Sequence, residues 1–215
     1  MNELKIYLLF AVCIVLFGCG KDDHIQTTAQ VLKYKNGNIR EQFFAYKNHK
    51  GEYVSHGLYR LWHENGVKAK EGYYSHGNCD GMWLQWNDKG MLYSVESYQD
   101  YQLNGAQIRW HDNGKLLSIT SMKHGLLDGS SISWYPNGEI QKEEYYHNNV
   151  PEGKWIEYYD SGVLKSEFCF SGGKLNGYCT RWNLDGSIRI KDYYADNKKK
   201  NSAMKENGAT KEKGK

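Results

Sequence analysis

The sequence predicts an all-β protein: an elongated, open antiparallel meander, a single-layer twisted sheet of about six and a half 24-residue, two-strand repeats. Three observations carry this. Gly57, Gly81, Gly105, Gly129, Gly153 and Gly177 are spaced by 24, and so are Gly66, Gly90, Gly114, Gly138, Gly162 and Gly186. Trp62, Trp86, Trp110, Trp134, Tyr158 and Trp182 keep the same spacing. Between the glycines, side chains alternate with a period of two, and no helical stripe forms. Self-similarity at a fixed period marks a repeat array.

Each copy reads as strand, turn, strand, return. In residues 152–175, KWIEYY is the first strand, with Lys154, Ile156 and Tyr158 on one face and Trp155 and Glu157 on the other. Asp160-Ser161-Gly162 turns the chain, VLKSEFCF is the second strand, and SGGKLNG leads to the next copy. The turn is best seen in Tyr135-Pro136-Asn137-Gly138. Proline fixes φ near −65°, asparagine tolerates the bridge region, and glycine supplies φ > 0, which gives a type I turn closed by a glycine bulge. The equivalent turn glycines are Gly66, Gly90, Gly114, Gly162 and Gly186. A degenerate copy, Tyr34-Lys35-Asn36-Gly37-Asn38-Ile39, precedes them after a five-residue insertion and places Gly37 in the same role. The array therefore covers residues 32–195, about thirteen strands, which at ~4.8 Å each make a sheet of ~60 Å. So long an open sheet must twist.

Leu84, Ile108, Ile132 and Ile156 stand two residues before the Trp/Tyr column, so that face is expected to be packed. Leu61, Gln85, Arg109, Ser133, Glu157 and Arg181 are expected to face water. Trp83 and Trp155 fall on this second face and are read as exposed aromatics, candidate anchors for a partner.

Both ends of the chain differ from the array. Residues 6–17, IYLLFAVCIVLF, are an apolar run too short for a membrane span of ~20 residues but suited to a signal-peptide core. The run ends in Leu16-Phe17-Gly18-Cys19, which resembles a bacterial lipobox. That resemblance implies a signal peptide over 1–18, cleavage between Gly18 and Cys19, and lipid on the Cys19 sulfur. An ordinary secretory signal with an incidental cysteine is the alternative. Residues 19–31 are read as a tether. Within it, Cys19-Gly20-Lys21-Asp22-Asp23 resembles the surface-export signal of Bacteroidota lipoproteins, which implies an outer-membrane, surface-exposed location. Residues 196–215 hold seven lysines against three acids and are read as a disordered tail.

Net charge is +3, most of it in that tail, so no basic face exists to bind nucleic acid. Eight histidines invite a metal reading. His63 and His111, however, are column mates two repeats apart, ~19 Å, whereas zinc ligands sit at ~2.0–2.1 Å. They are read as turn-edge residues, and no metal or cofactor is expected. No glycine-rich phosphate loop opens a helix and G-x-S-x-G is absent, so no enzyme is expected. Of five cysteines, Cys79, Cys169 and Cys179 lie in the array. A hairpin centred near Lys174 would place Cys169 and Cys179 opposite each other, as a disulfide or as two small packing residues.

The repeat, seen in NGAQIRWHDNGKLLS, DGSSISWYPNGEIQKEEYY and EGKWIEYYDSGVLKSEF, resembles the MORN family. It is most similar to the shorter variant found in the bacterial YwqK antitoxin family. The resemblance covers most of residues 32–195 and implies a repeat scaffold. Two functions are expected from it. One is non-catalytic binding of a protein or a glycan by a membrane-anchored lipoprotein. The other is an antitoxin or immunity-type role, neutralising a toxin at the envelope.

Overall fold

The computed structural model describes residues 25–200. The signal segment, Gly18, Cys19, most of the tether and residues 201–215 lie outside the described residues. Strands β1 (Thr28–Lys33), β2 (Ile39–Lys47), β3 (Tyr53–Trp62) and β4 (Lys68–Ser75) open the sheet. Its middle is β5 (Asn78–Trp86), β6 (Leu92–Gln99), β7 (Gln102–Leu103), β8 (Gly105–Trp110), β9 (Leu116–Lys123) and β10 (Leu126–Trp134). It continues through β11 (Ile140–His147), β12 (Val150–Pro151), β13 (Gly153–Tyr158) and β14 (Leu164–Ser171). It ends with β15 (Lys174–Leu175), β16 (Gly177–Trp182), β17 (Ile188–Ala195) and β18 (Lys198–Lys200).

All pairings are antiparallel and follow chain order, so the architecture is the expected open meander. The two-residue strands β7, β12 and β15 are leads split from the strand that follows. The sheet reaches beyond the expected limits at both ends. β1 pairs with β2 from Thr28, inside the segment read as tether. β18 pairs with β17 through Tyr193↔Lys200, inside the segment read as disordered tail. The lysines make sense there, because charged side chains on an edge strand discourage pairing with another chain.

The turns between the first strand (A) and second strand (B) of each copy, the A–B turns, have the expected form. Gly37, Gly66, Gly90, Gly114, Gly138, Gly162 and Gly186 all have φ between +80° and +96°. In one of them the Gly114 N–H donates to the His111 carbonyl at 2.9 Å and the His111 N–H to the Lys115 carbonyl at 2.8 Å. In the six full copies the return hairpins are two-residue loops in which both residues have positive φ, the type I′ form that matches strand twist. His124-Gly125, Asn148-Asn149 and Gly172-Gly173 suit it. Tyr101, at φ +70° in Asp100-Tyr101, does not. A bulky residue in this region costs ~1–2 kcal/mol. Tyr101→Gly is therefore expected to stabilise the array by ~1 kcal/mol in urea unfolding; an unchanged or lower midpoint would contradict the strain.

Side chains at the turns tie each repeat to the next. The Tyr34 hydroxyl donates to the Trp62 carbonyl at 2.7 Å, that of Tyr135 to Tyr158 at 2.9 Å and that of Tyr159 to Trp182 at 2.9 Å. His63 and His111 do the same through Nε2, at 2.9 Å from the Trp86 and Trp134 carbonyls. A second row uses amides: Asn65 donates to the Asp88 carbonyl at 2.8 Å, Asn113 to Pro136 at 2.7 Å and Asn137 to Asp160 at 2.6 Å. In this way stability accumulates between nearest neighbours along the array.

Alternation gives the sheet two faces. One carries an inner row Arg60, Glu71, Leu84, Val95, Ile108, Ile119, Ile132, Glu143, Ile156, Glu167, Thr180 and Lys191. The Trp/Tyr column stands on the same face, half-buried. The other carries Lys70, Gln85, Ser94, Arg109, Ser118, Ser133, Lys142, Glu157, Ser166 and Arg181, flanked by the second aromatic row. The expectation of a packed first face and a solvated second face is corrected here. Of the seven buried residues described, Gly72, Trp83, Ser94, Ser166 and Cys179 belong to the second face.

At the N-terminal end of the first face, Glu71 receives Arg60 Nε at 2.8 Å and Lys68 Nζ at 2.9 Å. Burial alone would raise its carboxyl, but the two cations outweigh it and hold the group below its ordinary value. A depressed carboxyl contributes stability above its unfolded pKa and loses it as pH falls through the folded value. Glu71→Gln is thus expected to cost up to ~1 kcal/mol at neutral pH, with the difference from wild type vanishing in acid. A difference that persists below about pH 3 would contradict this.

Candidate binding groove

Two sites on the second face are built from the same residue positions three repeats apart. Lys70, Gly72, Tyr74, Trp83, Gln85 and Ser94 in the first correspond to Lys142, Glu144, Tyr146, Trp155, Glu157 and Ser166 in the second. Register is preserved, since Lys70 pairs with Gln85 and Lys142 with Glu157.

The first site is closed. Trp83 is 0% exposed, which overturns its reading as an exposed anchor. The cause is Gly72 on the neighbouring strand, where a Cβ would fall 2.2 Å from the indole, so only bare backbone lets the ring lie there. Tyr74 meets the ring edge-on at 4.9 Å, Tyr59 is tilted at 5.6 Å, and the Lys70 ammonium sits 4.7 Å over it. Burial, helped by the Glu41 carboxylate, pushes the Tyr59 phenol well above its ordinary value.

The second site is open. Trp155 is half-buried; it donates Nε1–H to the Tyr145 carbonyl at 3.0 Å. It leans on Tyr146 at 5.0 Å and Phe170 at 4.7 Å, with interplanar angles of 53° and 50°. Beside it lies a cavity of about 460 Å³ walled by Trp155, Phe168, Phe170 and Leu175. Lys142, Glu144, Glu157 and Asn197 bring polar atoms to the cavity. The Tyr146 hydroxyl donates to Glu144 Oε2 at 3.2 Å. Burial and this carboxylate push the phenol up to about 12, so the bond holds throughout the physiological range. Glu157 is paired with Lys165 Nζ at 2.8 Å and accepts from the Ser166 hydroxyl at 3.3 Å. A second cavity of about 260 Å³ continues past Ser166 and Phe168 to Arg181 and Arg189. Arg181 there stacks 5.4 Å over Phe168. The two cavities share Glu157, Ser166 and Phe168 and so form a groove on the second face over β11–β17, with Trp155 in its lining.

The cysteines do not contribute a bridge. Cys79, Cys169 and Cys179 are free thiols. The expected pairing of Cys169 with Cys179 fails because the hairpin is centred on Gly172-Gly173, as Ser171↔Lys174 shows, and not on Lys174. Beyond the turn the register shifts by two residues, so Glu167 lies opposite Thr180, which puts Cys179 on the groove face and Cys169 on the other. Burial pushes the Cys79 and Cys179 thiols up, away from the reactive thiolate. The sequence also gave no sign of a ring cluster beside the first return hairpin, where His56 and His76 meet at 4.9 Å with Tyr46 and Tyr73 around them.

No curated protein matches the chain. A family model does: residues 55–76, 103–124, 127–148 and 151–171 match the MORN repeat variant. The copies between and after these windows share their turns, with Gly90 and Gly186 at φ +81° and +80°. Trp155 and the strands on either side of it, β11 and β14, fall within two of these four MORN-variant matches.

Proposed function

We propose that this chain is a non-catalytic binding scaffold, anchored by lipid on Cys19 to the cell envelope, at the outer membrane or its surface. Its partner, a protein or a glycan, sits in the groove around Trp155. The observation that carries this reading is the concave, aromatic-walled cavity of about 460 Å³ on the second face of the repeat sheet. That volume falls within the ~300–1,000 Å³ of ligand sites. The carboxylates of the cavity support binding over catalysis, because each has a structural partner: Glu144 accepts from Tyr146, and Glu157 from Ser166 and Lys165. Lipidation rests on the Leu16-Phe17-Gly18-Cys19 segment. The antitoxin or immunity reading rests on the resemblance of the repeat to the YwqK family, and a toxin reading frame next to this one would favour it.

Fractionation tests the anchor. Wild type is expected in the membrane fraction, acylated at Cys19, and Cys19→Ala is expected to remain uncleaved and unacylated. A mature, unmodified N-terminus elsewhere would overturn it. Crosslinking of the intact protein in envelopes tests the groove. Trp155→Ala is expected to abolish adducts formed from β11–β17, and unchanged adducts would overturn the assignment.

A further inference from the structure

The closed first site shows what makes the second one open. At the position of Gly72, where a Cβ would stand 2.2 Å from the Trp83 indole, the second site has Glu144. Trp155 cannot adopt the flat pose, and the cavity is the space that results. Tyr59, which packs on Trp83, is replaced by Ser131 at the equivalent position, which widens the opening.

The chemistry of the cavity selects a ligand type. Three aromatic rings and Leu175 give it apolar walls. Its charges cancel. Glu157 is already neutralised by Lys165, and the remaining pair, Lys142 and Glu144, has opposite signs. The site therefore favours neither a free cation nor an anion. It offers donors and acceptors together. Lys142 donates, Glu144 accepts through the oxygen that Tyr146 leaves open, and Asn197, whose Oδ1 is taken by the Leu175 N–H at 2.7 Å, has its amide N–H groups to donate. A neutral ligand with an apolar face and an edge of hydroxyls matches all three features.

We propose that the Trp155 cavity is a saccharide site. It takes a pyranose unit of a neutral glycan, with C–H groups against the aromatic wall and hydroxyls on Lys142, Glu144 and Asn197. This rests on the binding-scaffold reading and names its ligand.

The test uses the full mature protein in a detergent without a sugar headgroup. It is titrated calorimetrically with cellotetraose, maltotetraose, mannotetraose and chitotetraose, and separately with tetramethylammonium chloride and inorganic phosphate. At least one oligosaccharide is expected to saturate the protein with a Kd below ~1 mM. Trp155→Ala should weaken it at least ~10-fold, as loss of a central aromatic anchor does. Glu144→Gly should weaken it as much while leaving thermal unfolding intact, because the indole can then lie flat as Trp83 does. Tyr101→Gly, remote from the groove, should leave it unchanged. The inference is overturned if no oligosaccharide saturates below ~10 mM, or if only the cation or only phosphate binds. Envelope adducts that vanish in Trp155→Ala while no oligosaccharide binds would overturn the saccharide and leave the scaffold reading standing. Adducts that survive in Trp155→Ala would overturn the scaffold reading itself.

Discussion

Trp83→Ala is expected to cost ~3–5 kcal/mol, the range for removing a large, fully buried aromatic side chain. No other large side chain is fully buried among the described residues, and four neighbouring groups close around it. Truncation removes the ring that joins β3, β4 and β5, and the flat backbone at Gly72 leaves nothing to collapse into the space. Gly72→Ala attacks the same contact from the other side, since its Cβ would stand 2.2 Å from the indole, and overpacking of this kind costs ~1–3 kcal/mol. Trp83→Phe should be milder than either. It keeps most of the apolar surface and deletes a buried Nε1–H that has no hydrogen-bond partner among the described residues. Urea unfolding of the three variants checks this, and a loss below ~1 kcal/mol for Trp83→Ala would show that the ring is not core.

The second large effect separates two glycines of one column. Gly129 has φ +110°, and a Cβ there would sit 3.0 Å from the Ser121 Cβ. Gly153 has φ +69° with nothing within 4 Å of the same position. The first combines a conformation outside the left-handed well with a backbone-fixed contact; the second is an ordinary left-handed residue in open space. Gly129→Asn is therefore expected to cost ~3 kcal/mol or more, and Gly153→Asn under ~1 kcal/mol, because asparagine tolerates the left-handed region. Equal losses in the two variants would contradict the distinction.

These two cases show what the residues make legible. A glycine every 24 positions is readable because each A–B turn needs φ > 0 at one residue, and no neighbour can substitute for it. Strand, turn and order follow from that alone. The depth of a side chain does not. Trp83 and Trp86 are three apart on one strand and so lie on opposite faces, and nothing local distinguishes their burial. What decides it is a register shift between Glu71 and Tyr73, which slides β5 along β4 until Trp83 reaches Gly72. The hairpin His76-Gly77 on its own would place a different pair together. The Cys169–Cys179 expectation fails for a like reason: the turn is centred on Gly172-Gly173 and the register shifts by two residues before Glu167 meets Thr180, so every pair beyond takes a new partner. The open site was partly visible. Trp155 was identified, but its difference from Trp83 lies on the adjacent strand, in Glu144 replacing Gly72, and becomes meaningful only once the register is known.

One tryptophan of this pair is sealed into the sheet and the other lines an accessible groove. Hydroxyl-radical labelling of the native protein, read by peptide mass spectrometry at each indole, tests it most directly. Trp155 is expected to be oxidised in the folded protein, and Trp83 to stay unmodified until denaturant unfolds the first repeats. Labelling of Trp83 at a rate comparable to Trp155 under native conditions, or protection of both rings, would contradict it.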